Sequence, residues 1–171
     1  VEDNVLLFGG QALMTEEVDG ATLRNTVAVG TGAVAVIFGH GNSHRWTVEN
    51  CTVGLGGWGA FSLTGEGYRL RNNIVWNNAL GGVASLTSDY NLFCLNRDDQ
   101  TVYHVSKPKW RNFTSLADVA QATQQERHSR RAPPAFRHAP FCQAAAVGED
   151  ANRADRLALR VTGGIAMADF Q

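Results

Sequence analysis

The stretches VEDNV at residues 1–5, LRNTV at 23–27, VENCT at 48–52 and LRNNI at 70–74 are four versions of one phrase. Each has an apolar residue, a charged residue, an Asn or Asp and then a short β-prone segment. The Asn or Asp falls at positions 3, 25, 50 and 72, in steps of 22, 25 and 22 residues. A fifth, altered copy, SDYNLF, follows at 88–93. A period in the twenties with one fixed turn residue predicts a solenoid of stacked coils.

Between successive phrases the sequence divides into three short β-prone stretches separated by turns. In one repeat these stretches are 26–29, 33–38 and 44–49, and glycine-rich or polar segments separate them. We expect the Asn of the phrase at the tightest corner, because Asn and Asp tolerate the left-handed backbone conformation. We also expect these corner amides to hydrogen-bond to one another along the stack, as Asn ladders do.

Alternation along the strand before each corner predicts which side chains face the core. The residues expected to point inward are Leu23, Trp46, Val48, Tyr68 and Leu70. The residues expected to point outward are Glu2, Arg24, Glu49, Arg71 and Asp89. Because their signs alternate, in-register stacking at a spacing of about 4.8 Å would place acids beside bases. We predict an exposed charge ladder that fixes the register of the strands, more than a catalytic charge cluster.

Composition excludes some classes of partner. The chain of 171 residues has a formal net charge of −1 and a pI near 6.6, so we predict no binding to nucleic acid. No apolar run reaches the roughly 18 residues of a membrane span, so we predict no such span. The sequence starts at Val1, inside a repeat phrase, and we expect it to be a piece of a longer protein with any export signal upstream.

The repeat pattern changes after residue 93. Residues 114–123 predict a short helix with an apolar stripe, and Ser115 and Asp118 resemble a capping box at its start. Residues 155–161 predict a final strand.

We therefore expect two parts: β coils over 1–93, and a capping or tail region over 94–171 that packs on them. The stretch at 33–38 is apolar on both alternating faces, as in a strand covered on both sides, and the tail is the expected cover. Cys51 is expected to be a small buried residue. Cys94 and Cys142 would pair only in an oxidising compartment.

The phrases LRNNIVWNN at 70–78 and SDYNLF at 88–93 resemble the right-handed parallel β-helix proteins of the pectin-lyase-like superfamily. In many bacterial members a phrase similar to the second closes the last coil. A Ser-Leu-initiated helix, a His-Ser pair and a Pro-x-Phe segment then follow, and 115–116, 128–129 and 134–136 look like these features. The resemblance implies an all-β fold, a right-handed parallel β-helix with a short helix-containing cap at its C-terminal side.

That superfamily includes polysaccharide lyases, glycoside hydrolases, epimerases and adhesins. The resemblance therefore implies an exported protein, extracellular, periplasmic or on the cell surface, that acts on a polysaccharide or glycan as a lyase or hydrolase. The alternative is a noncatalytic carbohydrate-binding or adhesin module. Calcium is implied by the resemblance alone, because no Asp/Glu cluster offers the roughly six to eight oxygens that it prefers. From the residues themselves we predict no cofactor and no metal.

His40 and His44 are the most chemically suggestive residues of the glycine-rich loops. They lie at the two ends of a Gly/Asn/Ser-rich segment, with Arg45 adjacent and Glu49 on the following strand. If the chain is catalytic, we predict that these four residues carry the reaction, with His as acid or base and Arg stabilising a carboxylate or developing anion. The alternatives are a metal site and simple packing of the loop.

Two tryptophans suggest a sugar-binding surface. Trp58 lies in a glycine-rich loop and Trp76 begins the corresponding loop of the next repeat, so they predict stacking of sugar rings on consecutive coils. Alternatively, each ring folds over its own loop. The basic run at 127–131 predicts either contact with an acidic glycan or a solvated face. A cleft that joins His44 and Arg45 to a carboxylate would favour an enzyme, and a flat, neutralised ladder would favour a binding module.

Overall fold

The computed structural model describes residues 1–7, 12–30, 34–40, 43–55, 59–63, 65–76, 78–82, 86–95, 98–105 and 109–132. The chain divides into two units, 1–133 and 134–171. All of the described residues belong to the first unit, and the second unit lies outside them. The described residues are mostly β, with parallel sheets and one short helix.

The largest sheet has six strands, all parallel to their neighbours. Numbered in chain order, its neighbouring strands are β1 (Val5–Leu7), β4 (Val27–Val29), β7 (Thr52–Gly54), β10 (Ile74–Trp76), β13 (Leu92–Cys94) and β16 (Arg130–Arg131). The first five of these strands begin just after the corners of the repeat phrases. The last of them comes from the region after the helix, which therefore continues a sheet that the repeats started.

Three smaller sheets hold the remaining strands. A four-stranded parallel sheet has the order β12 (Leu86–Asp89), β9 (Tyr68–Arg71), β6 (Thr47–Glu49) and β3 (Thr22–Arg24). A three-stranded parallel sheet has the order β2 (Leu13–Glu16), β5 (Val34–His40) and β8 (Gly59–Leu63). The third has the order β11 (Leu80–Gly82), β14 (Tyr103–Val105) and β15 (Arg111–Phe113), in which β14 and β15 are antiparallel.

From β1 to β10 the chain visits three sheets in rotation. Each strand from β4 to β10 pairs with the strand three places earlier in the chain, always in parallel. Each repeat therefore contributes one strand to each of three sheets, and the predicted division of a repeat into three short strands is confirmed.

The corners have the backbone conformation that the sequence predicts. Asp3, Asn25, Asn50 and Asn72 have φ angles of 55°, 49°, 55° and 56°. The fifth corner is occupied by Tyr90, with a φ of 60°. Asn and Asp adopt this left-handed region at low cost, whereas a bulky aromatic residue does so only when its surroundings compensate.

The predicted sorting of side chains by face is also confirmed. The five residues expected inside are buried, and along β9 burial alternates strictly with exposure. Tyr68 is completely buried, and its hydroxyl group has hydrogen-bond partners there. It donates to the Ser43 carbonyl at 2.7 Å and accepts from the Gly65 N–H at 3.2 Å. Cys51 is buried as expected, and burial raises the pKa of its thiol to about 11.

The stack is held by buried amides, although these are not the corner amides that we expected. Asn50 and Asn72 are exposed, because the left-handed corner turns its own side chain outward. The following residues, Asn73 and Asn91, are buried instead. Asn73 Oδ1 accepts from the Cys51 N–H at 3.0 Å, and Asn73 Nδ2 donates to Asn91 Oδ1 at 3.2 Å. This amide column, Asn73 and Asn91, therefore lies one residue after the fourth and fifth corners.

The helix α1 (Leu116–Thr123) forms where the sequence predicts one. Ser115 is its N-cap and its hydroxyl oxygen accepts from the Asp118 N–H at 3.4 Å. Val119 is buried in the same core cluster as the inward residues of the repeats, and Leu116 packs against it. The expected strand at 155–161, the partner Cys142 and the side chains of 33–38 lie outside the described residues, so those expectations stay predictions.

Candidate functional site

His44 and Arg45 lie at the bend before β6, and each contacts a neighbouring repeat. The Glu66 N–H donates to His44 Nδ1 at 3.1 Å, which places the proton of the neutral imidazole on Nε2. Arg45 has a φ of 53°, and its exposed guanidinium forms an ion pair with the carboxylate of Asp19. These contacts join three successive repeats at this corner, and they are sufficient to explain both side chains as packing elements.

Glu49 and His40 lie on different sheets. Glu49, on β6, is in register with the arginines of both neighbouring strands. His40 ends β5, and its side chain lies outside the described residues. Within the described part of the chain, no hydrogen bond or ion pair joins His44, Arg45 and Glu49 to one another. Their predicted joint role in catalysis stays a prediction.

Trp76 is buried, with an exposure of only 3%. A ring with no free face cannot stack on an incoming sugar, so the predicted sugar-binding role is inconsistent with its position at the end of β10. The neighbouring strand approaches very closely here, since a Cβ placed on Gly54 would lie 2.0 Å from the Trp76 carbonyl oxygen. Trp58 lies outside the described residues, and its role stays a prediction.

The outer surface of the four-stranded sheet carries two columns of side chains in register. They are Arg24, Glu49, Arg71 and Asp89, and beside them Thr22, Thr47, Arg69 and Thr87. Glu2 extends the first column, because its backbone forms an isolated parallel β-bridge with Arg24. Arg24 Nε also donates to the Glu2 carboxylate. We call these nine side chains the ladder face.

The predicted alternation of charge along the ladder face is confirmed. The hydrogen bond from Arg24 is the main cause that holds the pKa of the Glu2 carboxyl below its usual value. Four steps of about 4.8 Å give the charged column a length of roughly 19 Å. It is a long, regular, hydrogen-bonding surface in which acids and bases lie next to each other.

The ladder face ends in a stack of side chains around the fifth corner. The Arg71 guanidinium lies 4.5 Å from the centroid of the Tyr90 ring, and the His128 ring lies 4.7 Å from it at an angle of 11°. His128 Nδ1 is 2.6 Å from Asp89 Oδ2, and the His128 backbone N–H donates to Asp89 Oδ1 at 2.7 Å. We call Arg71, Asp89, Tyr90 and His128 the ladder-end stack. These contacts compensate for an aromatic residue in the left-handed region.

Asp89 orients the imidazole of His128. Burial raises the pKa of the Asp89 carboxyl, but hydrogen bonds from the His128 side chain and from the N–H groups of His128 and Tyr90 outweigh it, and the pKa is lowered overall. The carboxylate is therefore ionised at neutral pH and binds Nδ1, which leaves Nε2 for other contacts. An imidazole oriented in this way beside an arginine can exchange a proton and bind an anion.

A buried carboxylate closes the amide column behind this stack. Glu126 is only 2% exposed and accepts hydrogen bonds from the hydroxyl groups of Ser88 and Ser129. Asn91 Nδ2 donates to its two oxygens at 3.3 and 3.1 Å. Burial raises the pKa of Glu126, although the hydrogen bonds from Ser129, Ser88 and Asn91 oppose that effect. Every contact of this carboxylate is internal, so we assign it to stability.

Sequence reasoning did not identify Tyr90, His128 or Glu126 as a connected group. Asp89 and His128 are 39 residues apart, and the helix lies between them, so no repeat spacing relates the two. Only two signals were present: an aromatic residue at a corner position that otherwise holds Asn or Asp, and a histidine inside the basic run.

Neither a metal site nor a membrane-spanning helix is found in the described ranges. No three His, Cys, Asp or Glu side chains there come together as a metal centre requires. The single described helix, α1, lacks the length and apolar character of a membrane span.

No protein-family model, no curated protein and no solved structure matches this chain.

Proposed function

We propose that the chain is a right-handed parallel β-helix of the pectin-lyase-like type that binds polysaccharide outside the cell, in the periplasm or at the cell surface. The rotation of the chain through three parallel sheets supports this fold, as does the left-handed residue that recurs at the same corner of each repeat. The resemblance of the repeat phrases supports an exported, carbohydrate-directed role.

The ladder face is the proposed binding surface, and the alternation of its charges favours a binding module over an enzyme. Its acids and bases alternate in register, so it lacks a pair of unneutralised carboxylates facing each other across a cleft. It offers threonine hydroxyl and arginine donors at the regular spacing of a parallel sheet. A linear sugar polymer lying along the stack would meet similar donors at every repeat.

Binding to a panel of immobilised polysaccharides tests this proposal. The double variant Arg69→Gln/Arg71→Gln should weaken binding by roughly tenfold or more, because each lost charged hydrogen bond contributes about 1–2 kcal/mol. Arg130→Gln is a control, since it removes an exposed arginine from a different sheet. An equal loss of polysaccharide binding in the control, or unchanged binding in the double variant, would show that the ladder face is not the binding site.

An enzymatic function, as a lyase or hydrolase, is a second candidate, and the ladder-end stack favours it. In a lyase reaction, His128 Nε2 would take the proton from the carbon next to a uronate carboxylate, and Arg71 would stabilise the resulting anion. The carbon–oxygen bond at the β position would then break with formation of a C=C bond, and the leaving oxygen would take a proton from water. Asp89 would orient the base.

A comparison of two histidine variants tests the enzymatic candidate. New reducing ends and unsaturated uronate absorbance are measured for the parent, His128→Gln and His44→Gln. Loss of activity in His128→Gln alone supports the ladder-end stack, whereas loss in His44→Gln alone returns the chemistry to the loop residues predicted from sequence. Retained polysaccharide binding with no product from any substrate supports the binding module.

A further inference from the structure

The end of β15 contains a tripeptide that the repeat pattern does not explain. Residues 112–114 read Asn-Phe-Thr, which is the acceptor sequence for attachment of a glycan to an asparagine side chain. Asn112 lies on β15 and Thr114 directly follows that strand, and both residues are exposed, whereas Phe113 between them is buried. The two side chains that such an attachment uses are therefore accessible in the folded protein.

A second match to the acceptor sequence, at residues 50–52, differs in burial. Asn50 is exposed at a corner, but Thr52 is only 5% exposed and lies on β7, which has a paired strand on each side. The attaching enzyme recognises the hydroxyl group as well as the asparagine, so this second sequence becomes inaccessible once the sheet has formed. The structure therefore separates two sequences that are alike as patterns, and it favours Asn112.

An exposed aromatic ring lies on the same face of the sheet as Asn112. Trp110 is two residues before Asn112, and side chains two residues apart in an extended chain project from the same face. The Trp110 ring stacks on His104 with 4.7 Å between the ring centroids, and His104 is paired directly with Asn112. Trp110 is nevertheless 62% exposed, so an ordered indole with one open face lies beside the acceptor.

The strand geometry places a sugar on Asn112 within reach of this indole. Opposite residues of an antiparallel pair have Cβ atoms about 4.5–5.5 Å apart, and residues two apart on one strand are separated by about 6.8 Å. Tyr103 and Phe113 project from the other face of the two strands and are buried, so the Asn112 side is the solvent side. An indole face suits the apolar face of an uncharged sugar ring.

We propose that Asn112 carries an N-linked glycan whose first sugar packs on Trp110. The modification depends on the export proposed above, because such glycans occur on secreted proteins. The donor is an oligosaccharide joined through pyrophosphate to a lipid. Asn112 Nδ2 forms a bond to the anomeric carbon of the first sugar, and the bond from that carbon to the pyrophosphate oxygen breaks. The lipid pyrophosphate leaves with the electron pair, and a base of the transferring enzyme takes one proton from the amide.

A glycan at this position would also shield the edge of a sheet. Within the described residues β15 pairs with β14 on one side and has no partner strand on the other. Free edges of this kind invite pairing with another chain, and a bulky hydrophilic group hinders that pairing.

Mass spectrometry of the protein from its natural source tests the attachment. An amidase that releases N-linked glycans converts each occupied asparagine to aspartate, and in heavy-oxygen water it labels the site. Asn112 should be labelled, and Asn50 should be labelled less or not at all. Protein recovered outside the cytoplasm without a label at Asn112 would overturn the modification and leave the export in place. Unlabelled protein found only in the cytoplasm would overturn both. An equal or greater label at Asn50 would overturn the selection of Asn112 by its exposure.

Variants produced in a secretory host that attaches N-linked glycans test recognition of the acceptor. Asn112→Gln and Thr114→Ala should each lose the glycan, and Thr114→Ser should retain it, because serine also supplies the hydroxyl group. Arg111→Gln is the matched control, since it changes an exposed neighbour on the other face of β15 and leaves the acceptor sequence intact. Loss of the glycan in the control, or its retention in Thr114→Ala, would contradict the assignment.

Melting temperatures test the contact with Trp110. An endoglycosidase trims the glycan of the parent to a single sugar on Asn112. This form should melt about 2–4 °C above Asn112→Gln, the shift expected for one aromatic contact, and the difference should vanish when Trp110→Ala is added to both. No difference in the parent, or one that persists without the indole, would overturn the packing of the sugar on Trp110. Asn112→Gln should bind polysaccharide as the parent does, so the ladder face is tested separately.

Discussion

Replacing Glu126 by alanine should destabilise the fold more than any change of an exposed acid. The carboxylate is 2% exposed and accepts from Asn91 Nδ2 and from the hydroxyl groups of Ser88 and Ser129. Its removal leaves these donors in the interior without an acceptor. The last amide of the column, Asn91, would lose its acceptor at the position where β12 meets the segment after the helix.

The size of the effect follows from the number of donors. A buried donor without a partner costs about 1–3 kcal/mol. The amide of Asn91 cannot turn away without breaking its other contacts, while the two serine hydroxyls can rotate, so we expect Glu126→Ala to cost about 2–5 kcal/mol. Glu126→Gln keeps one acceptor oxygen but turns an NH₂ group toward other donors, and should cost about 1–3 kcal/mol.

Urea unfolding followed by circular dichroism measures both variants. The unfolding midpoint should fall in the order parent, Glu126→Gln, Glu126→Ala, with an unchanged dependence on urea. Glu66→Ala is the matched control, because its side chain is exposed, and it should change stability by no more than about 0.5 kcal/mol. A Glu126→Ala midpoint equal to that of the control would refute the role of this carboxylate.

The same carboxylate predicts a dependence on pH. Burial raises the pKa of Glu126 in the folded protein above its ordinary value of 4.5, so the unfolded chain loses this proton first as pH rises. Its contribution to stability is therefore greatest below 4.5 and declines as pH rises toward the folded pKa, by at most about 1.4 kcal/mol per pH unit. Glu126→Gln should lack this decline. An identical pH profile for parent and variant would contradict a raised pKa.

Three further predictions use the same unfolding measurements. Gly54→Ala should lower the midpoint sharply, because its Cβ would lie 2.0 Å from the Trp76 carbonyl oxygen, and a parental midpoint would show that the strands separate easily. Asn73→Ala should cost about 2–3 kcal/mol, since buried hydrogen bonds end on both atoms of its amide, and a loss below about 1 kcal/mol would argue against the column. Asp89→Asn should reduce the loss of stability at acid pH. The lowered pKa of Asp89 adds stability above 3.8 that is lost as pH falls through the pKa of the folded state. An unchanged loss of stability at acid pH in the variant would rule out the His128 contact as its source.

The repeat phrases predict the local structure of the first ninety residues well. The corner positions at Asp3, Asn25, Asn50 and Asn72 follow from the tolerance of Asn and Asp for the left-handed conformation. The inward and outward residues follow from the two-residue period of a strand. Both rules are local, so they need no knowledge of which strands pair.

The amide column shows where local rules stop. We expected the corner amides to bond along the stack, because those residues define the repeat. The corner residues Asn50 and Asn72 are exposed, and the column uses residues that follow a corner, Asn73 and Asn91. The residues that follow the second and third corners, Thr26 and Cys51, have no amide side chain. The residue that repeats and the residue that stabilises the stack are therefore different, and the repeat pattern reports only the first.

The candidate site was harder to predict than the fold. Trp76 resembled a loop residue with a free ring, but β10 extends to include it and buries it. The ladder-end stack unites the fifth corner with His128, and the chain between them passes through α1. Contacts of this kind depend on where the segment after the helix returns to the sheets, which no period in the sequence encodes.

The carboxyl group of Glu126 makes the two ends of the amide column different, because the hydrogen-bonded series stops at this residue. An amide both donates and accepts, so Asn73 and Asn91 can pass hydrogen bonds from one repeat to the next. Glu126 has no amide N–H group to donate onward, and both of its oxygens accept from Asn91, so the series of amides ends there. Duplication of a unit of 22 to 25 residues upstream of Asn73 would lengthen the protein and leave its pairing rules intact. Insertion after Asn91 would separate the series from its terminator, so variation in repeat number should be found on one side only.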